Sequence, residues 1–237
     1  MSFISAIRNF FGLKPVAQAV KVSAQKSFEK PTPKRFEDGP LGLAVERYLK
    51  IDGLMIEGIK EQLSMGIPED FEQKICAYGK IDLGDSNYLH RYYLFDGDSW
   101  IQIVSNGEGA HETIENISFF SYESAPVTNN PSEVERLIGR SSDIGLPEIK
   151  RHNKTFLREW GTEEGQTDLV AYSEFVVTDT GEQYTIDHKA MLYYREIEDS
   201  VRSELLIFSL EESPGEADAT ISTSYGVNLI QSDISVI

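Results

Sequence analysis

Alternating apolar and polar residues dominate the chain from residue 72 onward, in runs bounded by turn-forming residues. A period of two is typical of β-strands with one buried face. It predicts strands near 72–82, 88–95, 100–104, 114–122, 168–178, 184–195, 203–210 and 220–230. Asp96-Gly97 and the turn at 179–182 separate neighbouring runs in the way hairpin turns do. We therefore expect a body of antiparallel strands joined by hairpins.

The run 183–195 shows this alternation best. One face carries Tyr184, Ile186, His188, Ala190, Leu192 and Tyr194. The other face carries Thr185, Asp187, Lys189 and Arg195, together with Met191 and Tyr193. Because successive side chains of a strand point to opposite faces, the first set is predicted to face a core and the second to be partly solvated.

Two segments have helical patterns. A helix is predicted over 41–50 because apolar residues recur there at helical spacing, namely Leu41, Ala44, Val45, Tyr48 and Leu49. A second helix is predicted over 131–138, with Asn130 as its N-cap and Pro131 in its first position. Residues 54–63 fit either a strand or a helix.

These patterns give an expected fold class of α+β, rich in β, with antiparallel sheets joined by hairpins and a few short helices. Residues 37–237 are expected to form one globular domain of this kind. Two similar sheets, over about 40–125 and 150–237, are a further interpretation, because 88–91 loosely resembles 186–189.

The first residues follow a different pattern. On a helical wheel of about 100° per residue, the apolar residues of 2–13 fall within roughly half of the circumference. They are Phe3, Ile4, Ala6, Ile7, Phe10, Phe11 and Leu13. A helix of this length extends about 18 Å, too short to cross a hydrocarbon layer of about 30 Å. The pattern predicts an amphipathic helix on a surface, and 15–35 has the composition of a solvated, flexible tether.

Charge is divided unevenly along the chain. Among its 237 residues are 22 basic and 39 acidic ones, giving a formal net charge of −17. Residues 1–36, the basic arm, hold seven basic residues and one acidic residue, so the arm has a net charge of +6 and residues 37–237 have −23. Such asymmetry is typical of an interaction tail. The acidic body argues against nucleic acid as a partner.

Three interpretations of residues 1–13 stay open at this stage. The first is a secretory signal, because 17–19 has the small-x-small form of a cleavage site, although Arg8 interrupts the apolar centre. The second is a helix that docks on the protein's own body or on a second copy. The third, which the basic flank favours, is attachment to a membrane surface or to the apolar groove of a partner. Its contact residues are Phe3, Ile7, Phe10 and Phe11 for apolar burial, and Arg8, Lys14, Lys21 and Lys26 for electrostatic attraction.

Motifs that carry chemistry are scarce. The sequence contains no Gly-rich phosphate loop and no G-x-G-x-x-G, G-x-S-x-G or H-E-x-x-H pattern. Cys76 is the only cysteine, which excludes an internal disulfide, and its apolar surroundings are typical of a buried thiol. Four histidines offer few ligands for zinc. No catalytic residue, metal or cofactor is predicted.

A ligand-binding or catalytic site between sheets is the alternative hypothesis. His90 and His188 lie on predicted strands beside tyrosines, so they are either hydrogen-bonded core residues or part of a site. The residues to examine are Tyr88, His90, Tyr92, His188 and Tyr194. A structural subunit that pairs through the edges of its strands is a further alternative.

Several short segments, taken in order, resemble a known family. They are PLGL at 40–43, YGKIDLG at 78–84, LHRYYL at 89–94, REW at 158–160, MLYYRE at 191–196 and SELL at 203–206. The combination resembles the YjfK-like family of bacterial proteins, whose function is unknown, over roughly 40–230. This family is associated with gene neighbourhoods that include a phage-shock-type membrane-stress protein and small membrane proteins. The resemblance implies a bacterial setting connected with the cell envelope, and it carries no catalytic residues.

These observations lead to one functional expectation. The chain is predicted to be a non-enzymatic cytoplasmic protein, peripheral to the inner membrane, that binds a membrane surface or a membrane-associated protein. The resemblance implies a phage-shock-type protein as one such partner. The expected role is in envelope maintenance or stress.

Overall fold

A computed structural model of the protein describes residues 39–68, 70–107, 112–161 and 163–237. The strands of this part are β1 (Tyr48–Ile51), β2 (Glu72–Gly84), β3 (Asn87–Leu94), β4 (Ser99–Asn106), β5 (Thr113–Ser124), β6 (Val127–Thr128), β7 (Glu148–Arg151), β8 (Lys154–Arg158), β9 (Val170–Thr178), β10 (Gln183–Glu196), β11 (Ser203–Glu212), β12 (Ala219–Leu229) and β13 (Ile234–Val236). Its α-helices are α1 (Gly53–Ile59) and α2 (Pro131–Leu137). Single 3-10 turns lie at Pro40–Gly42, Lys60–Gln62 and Gln231–Asp233.

Eight antiparallel strands close into a ring. From β2 the ring runs through β3, β4 and β5, and β5 pairs with β12. It returns through β11, β10 and β9, and β9 pairs with β2 to close it. Outside the ring, β1 and β13 extend the sheet beside β2, and β8 and β7 extend it beside β10. The fold is a closed eight-stranded antiparallel β-barrel with short additional strands.

The expected α+β class is therefore wrong. The described residues are mostly β, and their two α-helices are only seven residues long. Both helices place apolar side chains, such as Ile56 of α1 and Val134 of α2, against the core on the outside of the barrel. Alternation of apolar and polar residues indicates that one face of a strand is buried, but it does not indicate whether the sheet closes on itself.

The helix predicted over 41–50 is also wrong. A 3-10 turn and strand β1 occupy this stretch instead. Leu41 and Glu46 have φ angles of 61° and 73°, in the left-handed region that a right-handed helix does not contain. Pairing of β1 with β2 and β13 satisfies the backbone groups that a helix would have paired internally.

Other local predictions are confirmed. Helix α2 starts at Pro131, and the side chain of Asn130 accepts a hydrogen bond from the backbone N–H of Ser132. The ambiguous stretch 54–63 is helical through most of its length. The hairpin turns after β3 and β9 contain Gly97 and Gly181 with φ of 76° and 80°, a region in which glycine is favoured.

Both faces of the barrel strands bury apolar residues. The core inside the ring contains Ala77, Tyr93, Trp100, Phe120, Val176, Ile186, Ala190 and Ile207. On β9, Val176 of this set is fully buried whereas Phe175 is 47% exposed, which identifies the inward-facing side chains. A larger core lies on the outer face and takes in residues of β1, α1, β7 and β8. Because this outer core covers β10, Met191 and Tyr193 are fully buried on the face that was predicted to be partly solvated.

Helices α1 and α2 are seven residues long each. Among the described residues, none of the helices combines the length and the apolar character needed to cross a membrane.

Candidate functional site

Four acidic or basic side chains lie inside the ring, among apolar and aromatic neighbours. They are Arg91 of β3, Glu174 of β9, His188 of β10 and Glu211 of β11, and each is at most 6% exposed. All four occupy inward positions of the strand alternation, so the same pattern that buries apolar residues buries these charges. We call these four residues the ring cluster.

Glu174 is the hub of the ring cluster. Arg91 Nη1 donates a hydrogen bond to Glu174 Oε2 at 2.9 Å, and the hydroxyl of Tyr93 donates to Oε1 at 2.8 Å. His188 Nε2 lies 3.0 Å from Oε2. Both carboxylate oxygens are therefore engaged, which is what a buried charge requires.

The guanidinium of Arg91 lies between aromatic rings. Its centre is 4.8 Å from the ring centroid of Trp100 and 5.5 Å from that of Tyr172. Its Nη2 donates to the hydroxyl of Tyr172 at 2.9 Å. The aromatic faces and the carboxylate together offset the loss of hydration of a buried cation.

His188 of β10 links Glu174 of β9 to the next strand of the ring, β11. Its Nδ1 lies 3.0 Å from the hydroxyl oxygen of Ser209, and its ring stacks on Tyr172 with centroids 4.9 Å apart. Glu211 is its direct cross-strand neighbour, and Ser222 donates to Glu211 Oε1 at 2.6 Å. The cluster therefore joins β3, β9, β10, β11 and β12.

The two carboxyl groups of the ring cluster differ in their proton affinity. Burial alone would raise the pKa of Glu174, but Arg91, with His188 and Tyr93, holds this pKa below its ordinary value. Burial raises the pKa of Glu211, and its contacts with His188 and Ser222 only partly oppose the rise. Burial and the nearby Glu174 raise the pKa of Tyr93 well above its ordinary value. The ion pair between Glu174 and Arg91 is thus the stable charged unit of the interior.

Gly79 makes room for the Glu174 carboxylate. A Cβ atom built at this position would lie 1.7 Å from Glu174 Oε1. The side chain therefore rests directly on the backbone of β2, at the seam where β9 closes the ring. The ring cluster fills this part of the interior and holds neighbouring strands together.

Comparison with known proteins gives the family. A family model described as "Protein of unknown function (DUF2491)" matches residues 20–235. The chain belongs to this family. It is 26% identical to "Uncharacterized protein YjfK" of Escherichia coli (strain K12) over 217 residues, which make up 90% of this chain and 97% of that protein. No solved structure matches.

These comparisons confirm the resemblance to the YjfK-like family. The family is described as being of unknown function, and the Escherichia coli relative as uncharacterised.

The five residues singled out for a site between sheets divide between the two faces of the barrel wall. His188 lies in the ring cluster, and Tyr194 lies further along the same inward face of β10. His90 lies on the outer face of β3, where Tyr88 and Tyr92 flank it at alternate positions. The structure thus brings His90 together with Tyr88 and Tyr92, but not with His188.

His90 belongs to a second buried polar group, on the outer face. Its Nδ1 lies 2.8 Å from the hydroxyl oxygen of Tyr78, and its Nε2 lies 3.0 Å from the hydroxyl oxygen of Ser105. Ser105 in turn donates to Glu112 Oε1 at 2.8 Å. A serine beside a histidine is the arrangement of an activated nucleophile, but Ser105 has no exposed surface through which a substrate would reach it. The geometry is that of hydrogen-bonded core residues.

A third polar group lies at the end of the barrel near β8. Glu204 is fully buried and accepts hydrogen bonds from Arg195 Nε at 2.6 Å and from the backbone N–H of Ser64. Lys154 Nζ lies 4.0 Å from the same carboxylate and donates to the carbonyl of Gln62. Burial, with the charge of Arg195, lowers the pKa of Lys154 against the opposing effect of Glu204. These contacts fasten the segment after α1 to the barrel.

The remaining candidates give little support for a functional site. Cys76 is half-buried, its Sγ lies 3.3 Å from the carbonyl oxygen of Tyr93, and burial raises its pKa to about 11, so the thiol is unreactive at neutral pH. In the described part of the chain, His, Cys, Asp and Glu side chains nowhere form a group of three or more suited to a metal ion. The predicted contact residues of the arm lie outside the described residues; they are Phe3, Ile7, Arg8, Phe10, Phe11, Lys14, Lys21 and Lys26.

Sequence reasoning missed three members of the ring cluster. Arg91 stands between Leu89 and Tyr93 in the strand alternation, and Glu174 stands two residues before Val176. A charge at an inward position of an apolar run is a signal for a buried ion pair. The partner could not have been named, because Arg91 and Glu174 are 83 residues apart.

Proposed function

We propose that this DUF2491 protein is a non-enzymatic binding protein whose basic arm, residues 1–36, attaches it to a membrane surface or a membrane-associated partner on the cytoplasmic side of the inner membrane. The observation that carries the proposal is the division of charge, +6 on the arm and −23 on the rest of the chain. The apolar stripe of 2–13 supplies the second requirement for interfacial binding, a surface that gains from leaving water.

The chemistry of the body supports binding over catalysis. The buried ionisable groups of the ring cluster contact one another, and the Ser105–His90 contact has no exposed surface at the serine. Buried polar groups that are hydrogen-bonded to one another contribute to the stability and the specificity of folding, and they are not free to act on a substrate. Surface recognition is the function that remains open to such a body.

The basic and the apolar residues of the arm contribute separately to the free energy of membrane binding. Each Lys or Arg near an anionic surface contributes about 1 kcal/mol of attraction, and this attraction weakens with salt. Each Phe or Ile that enters the interface contributes about 1.5–3 kcal/mol. The acidic body is repelled by the same surface, so contact is expected through the arm.

Co-sedimentation with vesicles tests the proposal. The full chain should pellet with vesicles that contain phosphatidylglycerol, pellet less in high salt, and pellet little with purely zwitterionic vesicles. The paired variant Phe10→Asp, Phe11→Asp should lose binding. Phe175→Asp is the matched control, because Phe175 is a 47% exposed aromatic residue of the body.

Equal pelleting of the full chain and the Phe10, Phe11 variant would reject the arm as the contact. Loss of binding in the Phe175→Asp control alone would place the contact on the barrel. A full chain that stays in the supernatant with every vesicle, in low salt, would reject membrane attachment and leave a protein partner.

A further inference from the structure

A groove with an apolar floor lies at the end of the barrel where β8 replaces β9 beside β10. β9 pairs with residues 183–190 of β10, whereas β8 pairs with the stretch that contains Tyr194. Leu157 of β8, Tyr194 of β10 and Leu205 of β11 stand in register, side by side, on the inward face. Leu157 is 44% exposed, and the other two are partly exposed. We call this surface the end groove.

The end groove has a cavity and an acidic rim. A cavity of about 670 Å³ is lined by Leu157 and Tyr194, by the exposed carboxylates Glu196 and Glu198, and by the cations Lys154 and Arg195. A second cavity of about 650 Å³ shares these two glutamates and continues around the loop 197–201. Glu148, also exposed, stands directly opposite Leu157 on β7.

The cations near the end groove do not cancel this rim. Lys154 and Arg195 line the first cavity, but both also lie beside the buried carboxylate of Glu204, at 4.0 Å and 2.6 Å. Lys150, which pairs with Thr155, is an exposed cation on the groove side. The surroundings of the end groove therefore hold more carboxylates than cations: Glu148, Glu196, Glu198, Asp199 and Glu204 against Lys150, Lys154 and Arg195.

An occupant of the end groove must carry an apolar stripe and positive charge. Residues 2–14 of this chain have both, with four aromatic or aliphatic contact residues and the cations Arg8 and Lys14. The connecting residues 15–38 can span up to roughly 80 Å when extended. A body of this size has a radius of gyration of about 16 Å, so the connection can reach any part of its surface.

We propose that residues 2–14 dock in the end groove of their own chain and leave it for the membrane. This inference rests on the proposed function, since the same apolar stripe serves both contacts. Tethering places the segment at an effective concentration on the order of 1 mM, so a contact with an intrinsic dissociation constant near 100 μM is about 90% formed. The membrane must compete with this internal contact, which weakens apparent membrane affinity about tenfold.

A paramagnetic label detects the docking directly. We would place a nitroxide on Ser2→Cys in a Cys76→Ser background and record amide signals of the full, ¹⁵N-labelled chain. Amides around Leu157, Tyr194 and Leu205 should broaden, whereas amides around Leu83 should not. A sample that mixes nitroxide-labelled ¹⁴N chain with unlabelled ¹⁵N chain should show no broadening, because the contact is within one chain.

Groove variants link docking to membrane affinity. Leu157→Ser should abolish the broadening and strengthen binding to phosphatidylglycerol vesicles by up to about tenfold. Leu83→Ser is the matched control, since Leu83 is 48% exposed on β2, and it should change neither measurement. Amide spectra of both variants report whether the barrel is intact.

Each outcome separates the two ideas. Vesicle binding without broadening at the groove overturns the docking and leaves the proposed function standing. Broadening without vesicle binding supports the docking and overturns membrane attachment. Broadening in the mixed sample assigns the groove to a second copy and overturns docking within one chain. Broadening that persists in the Leu157→Ser variant overturns docking in the end groove.

Discussion

Gly79 and Glu174 press against each other at the seam that closes the ring. Any side chain at position 79 would overlap the carboxylate, so Gly79→Ala must move Glu174 away from Arg91 or bend β2. We expect a loss of about 1–3 kcal/mol in the free energy of unfolding, the usual cost of overpacking a core. Urea unfolding at pH 7 measures it.

Gly58 provides the matched control for this substitution. It lies within α1, and a Cβ built there meets no atom within 4 Å. Gly58→Ala should leave stability unchanged or raise it by up to about 1 kcal/mol, because alanine favours a helix. Equal stability of the two variants would show that the carboxylate moves freely and that the ring cluster is not tightly packed.

Glu174 should make stability depend on pH in a defined direction. Its folded-state pKa is lowered, so its contribution is complete above the unfolded-state value of about 4.3 and is lost as pH falls through the folded-state value. Glu174→Gln leaves Arg91 buried without its counter-charge and should cost about 3–5 kcal/mol at pH 7. The difference in unfolding free energy between wild type and variant should narrow as pH falls below about 4.3.

Glu211→Gln is the contrasting variant for this pH series. Burial raises the folded-state pKa of Glu211, so its ionisation penalises the folded state as pH rises above the unfolded-state value. Replacing it should therefore stabilise the protein increasingly, relative to wild type, as pH rises from about 4.3. If the unfolding free energies of the two variants, relative to wild type, changed with pH in the same direction, the opposite pKa shifts of Glu174 and Glu211 would be contradicted.

At the scale of elements, β9 is the strand that closes the barrel. Residues 175–178 pair with β2, and 175–177 of these also pair with β10 on the other side. By contrast, β7 lies at the end of the described sheet with β8 as its neighbour. Amides bonded within a closed ring exchange only when the ring opens. We expect hydrogen exchange to be ~100-fold slower or more for 175–178 than for 148–151. Similar rates measured by mass spectrometry of the two segments would mean that the ring opens at β9.

Strands, hairpins and helix α2 could be predicted from the sequence because their signals are local. Asp96-Gly97 determines a turn within four residues, and Asn130 caps a helix through an N–H two residues away. The ring could not be predicted, since the pairings of β2 with β9 and of β5 with β12 join segments about a hundred residues apart. The prediction of a helix over 41–50 was wrong for a related reason. Its apolar spacing fits a helix, but pairing of β1 with β2 and β13 determines the backbone conformation there.

The candidate site was predictable only in part, again for physical reasons. Alternation groups His188 with Ile186 and Ala190 on one face of β10, but it does not reveal that His90 lies on the opposite side of the barrel wall. Facing directions of distant strands depend on how the sheet curls, and no local pattern encodes this. The Glu174–Arg91 contact depends on the same long-range arrangement.

At the scale of the whole molecule, the two halves of the chain are interlocked. The first half contributes β2–β5 to the ring and the second half β9–β12, and the halves meet at two seams, β5 with β12 and β9 with β2. The Arg91–Glu174 ion pair crosses from one half to the other. Neither half can bury its share of the ring interior alone, so we expect the body to unfold as one unit.

The two tryptophans report on the two halves separately. Trp100 stacks on Phe120 inside the ring with centroids 4.3 Å apart, and Trp160 packs edge-on against Tyr172 of β9. Trp160→Phe leaves a fluorescence signal from the first half, and Trp100→Phe leaves one from the second. Within each variant, fluorescence and far-ultraviolet circular dichroism should give the same urea midpoint, because opening either seam exposes both halves to water. If the fluorescence of either tryptophan changed at a lower urea concentration than the circular dichroism, its half would detach first. That result would contradict unfolding as one unit, because the two seams of the ring can open only together.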